Sequence, residues 1–258
     1  PALNATLYGV IAEARKHKWR VLGGMFGWEC VAPHGRIIDL TAVNIEPLKT
    51  VGGTILRSSR TDPAKIPGGI RAITKRLWEL NVDYLIPIGG NDTLGAATAL
   101  AGEGVPLVGI PKTVDNDIPN THWSPGYPSA AYYISHFCKE IKQDAAYALS
   151  RVYVIEIQGQ SAGWLVSSAS YGDADVIIPP ERALSLPHVL GLVERRYKQN
   201  GNFATVAIAQ YADFGSRIRG ITDGQRDQYG TSRREFIGLA LAREITRELG
   251  IDTKFLAP

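Results

Sequence analysis

The chain has 258 residues, with 28 lysines and arginines against 25 aspartates and glutamates, a formal charge of +3, and 45% hydrophobic residues. That length accommodates one large or two modest domains, and that balance excludes a disordered or fibrous polypeptide. No block of basic residues and no run of about 18 apolar residues occurs, so neither nucleic acid nor a membrane is indicated as a partner.

In chain order, Asn4 to Arg15 reads as a helix carrying polar residues, with no secretory-signal core, and a cytoplasmic location is expected. A strand is predicted over Trp19 to Gly23, then a helix over Pro63 to Leu80, a strand over Tyr84 to Ile88 and a helix over Thr93 to Ala101. The pattern continues with a buried strand over Pro106 to Ile110, a helix over Ser129 to Leu149 and a strand over Val152 to Ile157. A helix over Ser161 to Tyr171, a strand over Ala174 to Ile178, a helix over Leu184 to Gln199, a strand over Ala204 to Ile208 and a helix over Thr231 to Leu249 follow. Such alternation requires crossover connections, hence an α/β fold: two Rossmann-like domains with largely parallel sheets and helices on both faces. The turn-rich stretch before Pro125-Gly126 sets the expected boundary, giving domains 1–126 and 127–258.

Several features have plain readings. Cys30 and Cys138 fit no disulfide or zinc spacing and are expected to be two buried free thiols. The five histidines (His17, His34, His122, His136 and His188) show no ligand spacing. Tyr132, Tyr133, Phe137 and Cys138 share a helical face suited to core or subunit contact, and Arg195-Arg196 and Arg233-Arg234 suit solvated helix surfaces.

In α/β folds ligands gather at the carboxyl ends of strands. Gly89-Gly90, before a helix near Thr93, lets backbone N–H groups approach an anion, and the helix dipole adds to the attraction, which makes a phosphate site. Lys112-Thr113-Val114-Asp115-Asn116-Asp117 places a cation, a hydroxyl and two carboxylates at the next strand end. A lysine gripping phosphate, a carboxylate taking a hydroxyl proton and a second one holding Mg²⁺ are the parts of phosphoryl transfer. The Val152 strand ends in Gln158-Gly159-Gln160-Ser161-Ala162-Gly163 and the Ala204 strand in Gln210-Tyr211.

Gly89-Gly-Asn-Asp-Thr, Pro111-Lys-Thr-Val-Asp-Asn-Asp-Ile, Gln158-Gly-Gln-Ser-Ala-Gly-Trp and Gly52-Gly-Thr through Arg60 resemble, in order and spacing, the signature segments of the phosphofructokinases. The resemblance implies a glycolytic, Mg²⁺-assisted transfer of phosphate to the 1-hydroxyl of fructose 6-phosphate, with Asp115 as general base and Arg60 steadying the transferring group. It implies donor-phosphate contacts from Gly89, Gly90, Asp92, Thr93 and Lys112, and metal contacts from Asn91, Asp92 and Asp117. Substrate contacts fall to Thr113, Asp115, Asp117, Gln158, Gly159, Gln160 and Gln210. Arg151 is similar to an arginine that reaches the sugar phosphate of a neighbouring subunit, which implies a homodimer or homotetramer with shared active sites. Residues 1–126 would then carry the donor and 127–258 the sugar phosphate.

The donor is expected to be pyrophosphate rather than ATP. Members that use ATP usually carry glycine at the positions of Lys112 and Asp92; here a lysine replaces lost phosphate contacts and a carboxylate obstructs a nucleotide. Three positions lose charge relative to the family: Asn91 for a metal-binding aspartate, Gln160 for an arginine and Gln210 for a glutamate; Gln158 also replaces a methionine. These imply two alternatives, the same chemistry on sedoheptulose 7-phosphate or a polyol, and a non-catalytic regulatory subunit. Pro1 to Ala5 is similar to the end of the family's first phosphate loop, and Phe255 to Pro258 to the strand before a later sugar-phosphate segment, so a chain extending past both ends is expected.

Overall fold

Helical and extended segments take turns in a computed structural model that describes residues 2–32, 34–215, 218 and 236–258. They form two compact units, Pro1–Thr113 with Asp117–Gly126, and Val114–Asn116 with Tyr127–Pro258.

In the first unit α1 (Leu3–Lys16) turns Leu7 and Ile11, four residues apart, onto Leu40, Ile45 and Leu48. The expected strand at Trp19 starts only at Leu22: β1 (Leu22–Gly24) pairs antiparallel with β2 (Ile37–Asp39), so this small sheet departs from the parallel expectation. The long helix expected from Pro63 is broken. A short 3₁₀ turn, Pro63–Lys65, is capped by Asp62, and α2 (Gly69–Glu79) begins after Gly68 at φ 71°. Pro67-Gly68 causes the break, since proline lacks the amide that a helix needs and glycine tolerates the left-handed turn. Helix α2 and α3 (Asn91–Gly102) bury Ile73, Leu77 and Leu100 against Val31 and Val105, with Leu85 and Leu107 packed beside them. Between these helices in sequence, β3 (Ile88–Gly89) pairs parallel with β4 (Ile110–Pro111), and a bridge from Leu85 to Leu107 continues the pairing. Only one side of this pair is covered in the unit. Val108, expected in a buried strand, is 66% exposed, as are Tyr84 and Ile86 to differing degrees, because alternate side chains point away from α2 and α3.

The second unit is built on a four-stranded parallel sheet in the order β6-β7-β5-β8, formed by β5 (Val152–Ile157), β6 (Val176–Ile178), β7 (Ala204–Ala209) and β8 (Thr253–Leu256). Every residue of β5 and β7 is buried, which explains why both strands are apolar apart from Glu156 and Thr205. Side chains of α6 (Leu186–Gln199) and α7 (Ile237–Leu249) cover Val152, Val154, Val206 and Ile208 on one face. On the other, α4 (Tyr127–Tyr147) and the short α5 (Trp164–Ser167) cover Ile155, Ile157, Ala207 and Ala209. The fold is α/β, with helices on both faces of this sheet. The helix expected over Ser161 to Tyr171 is helical only at Trp164–Ser167, with a 3₁₀ turn over Ser168–Gly172. Residues 231–235 of the last expected helix, Arg233 and Arg234 among them, lie outside the described residues.

Two buried carboxylates stitch this unit together. Asp175, 7% exposed at its side chain, accepts from Lys142 Nζ at 2.9 Å, Asn200 Nδ2 at 3.0 Å and the Thr205 amide at 2.8 Å. Burial pushes its pKa up, but Lys142 and these hydrogen bonds together hold it below the ordinary 3.8. Glu156, within β5, accepts from the Gly238 amide at 2.7 Å and so fixes the start of α7. Cys138 is buried whereas Cys30 is only partly so, a correction to the expected pair of buried thiols; burial pushes both up to about 11, which keeps them protonated at neutral pH. No helix among the described residues is long and apolar enough to cross a membrane.

Candidate active site

The glycine pair closing β3 has a steric reason. A Cβ on Gly89 would fall 2.4 Å from Thr93 Oγ1, so only glycine lets the threonine sit on the strand end. Gly90, extended at φ −87°, caps α3, which opens on Asn91 rather than near Thr93 as the sequence predicts. Asn91 and Asp92 therefore belong to the first helical turn, where the backbone amides lack intrahelical acceptors and the helix dipole favours negative charge. No side chain caps these amides at Gly90, which leaves a cradle for an anion.

Backbone pairing brings the start of the second signature segment, Lys112 and Thr113, to the same place. The Lys112 amide donates to the Gly89 carbonyl at 2.8 Å, continuing the β3–β4 register. The Thr113 amide donates to Ser124 Oγ at 2.9 Å, and Thr113 is bridged to Gly126. Ser124 is fully buried and was invisible to sequence reasoning; its only signal is a serine before Pro125-Gly126 in a stretch that reads as turn. Asn116 is buried at φ 55°, a left-handed conformation that asparagine tolerates, and it turns the chain between Asp115 and Asp117. Beyond it, Asp117 Oδ2 accepts from Asn91 Nδ2 at 2.6 Å, while Asp117 Oδ1 is buried with no partner among the described residues. Gly89, Gly90, Asn91, Thr93, Lys112 and Asp117 thus converge in the first unit, with Asp92 beside them in the first turn of α3. Arg60 is exposed in the loop leading to the Pro63 turn of the same unit.

A second group forms in the second unit. The Gln210 amide donates to the Ile157 carbonyl at 3.0 Å, so Gln158 and Gln210 follow adjacent strand ends. Gly159 at φ 141° and Gln160 at φ 48° make a tight turn closed by the Ala162 amide on the Gly159 carbonyl at 2.9 Å. A side chain at Gly159 would meet the Ala162 carbonyl, and Gln160 carries the local strain that a left-handed non-glycine residue costs. Gln158 and Gln160 are exposed, whereas the Gly163 amide is already taken by Glu181 Oε1 at 2.5 Å. Val114 packs with Ile157 and Ala209, which sets its neighbour Asp115 in this unit.

Arg151 does not join this group. It precedes β5, with Nη2 3.0 Å from Asp252 Oδ2, at the opposite end of the strand from Gln158. Seven residues of extended chain separate the two by roughly 20 Å.

A family model described as phosphofructokinase matches residues 1–258. The chain is 34% identical to the pyrophosphate–fructose 6-phosphate 1-phosphotransferase of Dictyoglomus thermophilum, over 98% of its own length and 73% of that protein. It is 31% identical to the ATP-dependent 6-phosphofructokinase of Corynebacterium efficiens, over 98% of its length and 74% of that protein. Its fold matches the crystal structure of a pyrophosphate-dependent phosphofructokinase from Marinobacter aquaeolei with a TM-score of 0.82 at 23% identity, over 99% of this chain and 64% of that one.

Proposed function

The chain belongs to the phosphofructokinase family, and from that premise we propose that it transfers a phosphoryl group from pyrophosphate to the 1-hydroxyl of fructose 6-phosphate. The observation that carries the reading is the pairing of Lys112 with Gly89, which brings the lysine beside the uncapped amides of α3. Those amides and Lys112 bind the donor phosphates. Asp115 takes the proton of the 1-hydroxyl, whose oxygen forms the new bond to phosphorus as the pyrophosphate bridge breaks and inorganic phosphate leaves. Arg60 steadies the group in transit, and Thr113, Gln158, Gln160 and Gln210 position the sugar.

Magnesium fits the residues present. Asp117 keeps one buried carboxylate oxygen without a partner among the described residues, and Asp92 follows Asn91 in the first turn of α3; hard oxygen donors of this kind suit that ion. When bound, Mg²⁺ neutralises charge on the transferring phosphate.

Pyrophosphate is favoured over ATP because Lys112 adds a cation and Asp92 a carboxylate where a nucleotide would need room. The enzyme's glycolytic role follows from the same acceptor. Arg151 lies at the wrong end of β5 for its own chain's glutamines, so its role as a sugar-phosphate ligand requires a neighbouring subunit, in a homodimer or homotetramer.

The adjacent, neutral Gln158 and Gln210 favour a second reading, in which the acceptor is sedoheptulose 7-phosphate or a polyol. Steady-state assays with pyrophosphate and Mg²⁺ against fructose 6-phosphate, sedoheptulose 7-phosphate and a polyol panel separate the two. The highest kcat/KM with fructose 6-phosphate is expected; a higher value with another acceptor assigns the glutamines to that substrate.

A further inference from the structure

We propose that Asn91 sets the strength of the divalent-cation site by committing one oxygen of Asp117 to its own amide. The proposal rests on the reading of Asp117 as a cation ligand. Asn91 Nδ2 lies 2.6 Å from Asp117 Oδ2, a separation at which an amide oxygen would repel the carboxylate, so the nitrogen faces it and donates. A hydrogen bond to an ionised carboxylate is among the stronger ones and fixes the group's rotation. Asp117 Oδ1 is then the carboxylate oxygen left for an ion, and it is buried with its acceptor capacity unmet among the described residues. The pair offers one negative charge and one uncommitted carboxylate oxygen.

An aspartate at position 91 would reverse this. Two carboxylates at that spacing repel one another unless a cation lies between them, so N91D raises the affinity of the free protein for a divalent ion. Alanine at 91 adds no charge but releases Asp117 Oδ2, which gives a smaller gain. The fold tolerates N91D, because Asn91 is exposed and opens a helix whose dipole favours an acidic residue there.

The test is a Mn²⁺ titration of the whole protein without any phosphate donor, followed by electron paramagnetic resonance of the free ion. The expected order of affinity is N91D, then N91A, then the unsubstituted protein, then D117N, with N91D tighter than the unsubstituted protein by about tenfold or more. N91D and N91A both within twofold of the unsubstituted protein would overturn the proposal, as would D117N binding as tightly as it. Because no donor or acceptor is present, this ranking is independent of turnover, so a failed pyrophosphate assay counts against the proposed function alone.

Discussion

Asp115 owes its place to its neighbours: Val114 is packed beside Ile157 and Ala209, and the Thr113 amide is held by Ser124. Replacing Asp115 by alanine removes a proton acceptor while leaving those anchors, so kcat should fall by roughly 10²–10⁴-fold with an unchanged circular dichroism spectrum. Lys112→Gly should raise the KM for pyrophosphate by about tenfold or more, since a charged contact to phosphate is lost; unchanged pyrophosphate kinetics would remove the lysine from donor binding. Asp175 governs stability instead. Its folded pKa lies below the unfolded value of 3.8, so its contribution is complete above that value and is lost as the pH falls below it toward the folded pKa. Thermal denaturation of Asp175→Asn should show a flatter acid limb than the unsubstituted protein, and Asp175→Ala should cost about 1–3 kcal/mol by leaving the Thr205 amide and Asn200 Nδ2 without their acceptor, while Lys142 keeps Asp173. The catalytic candidates were legible because charged groups at the ends of apolar strands stand out. Ser124 and Asp175 were not, since their partners, Thr113 in one case and Lys142, Asn200 and Thr205 in the other, are set by tertiary packing.

Strand ends and helix starts carry the candidate site residues. Gly89 allows Thr93 to rest on β3, so Gly89→Ala forces the threonine away and disturbs the first turn of α3. The expected outcome is a loss of about 1–3 kcal/mol in stability, read by denaturant unfolding, together with weaker pyrophosphate binding by calorimetry. Stability unchanged from that of the unsubstituted protein would mean that the strand end relaxes around the new methyl group. At this scale long, periodic segments were readable: β5, β7, α4 and α6 lie close to their expected ranges because both faces of the sheet are buried. Short elements were not. The antiparallel pairing of β1 with β2 depends on partners fifteen or so residues apart, and the break before α2 turns on Pro67-Gly68 within an otherwise amphipathic pattern. The early start of α3 arises because Asn91 and Asp92, residues that also favour loops, are equally at home in a first helical turn.

The described residues form two compact units, each collecting one share of the signature residues: the uncapped amides of α3, Lys112, Asn91 and Asp117 in one, Asp115 and the three glutamines in the other. The contiguous run from Lys112 to Asp117 contributes residues to both units, and its charged pattern at a strand end is what sets these residues apart in the sequence. Under the proposed function Arg151, separated from Gln158 by the length of β5, would serve the sugar only in an oligomer. Analytical ultracentrifugation should accordingly find a dimer or tetramer, and Arg151→Ala should raise the KM for the sugar phosphate without altering that for the donor. Initial rates with fructose 6-phosphate and Mg²⁺, compared between pyrophosphate and ATP as donors, test the central claim most directly. A kcat/KM for pyrophosphate well above that for ATP is the expected result; efficient turnover with ATP and none with pyrophosphate would contradict it.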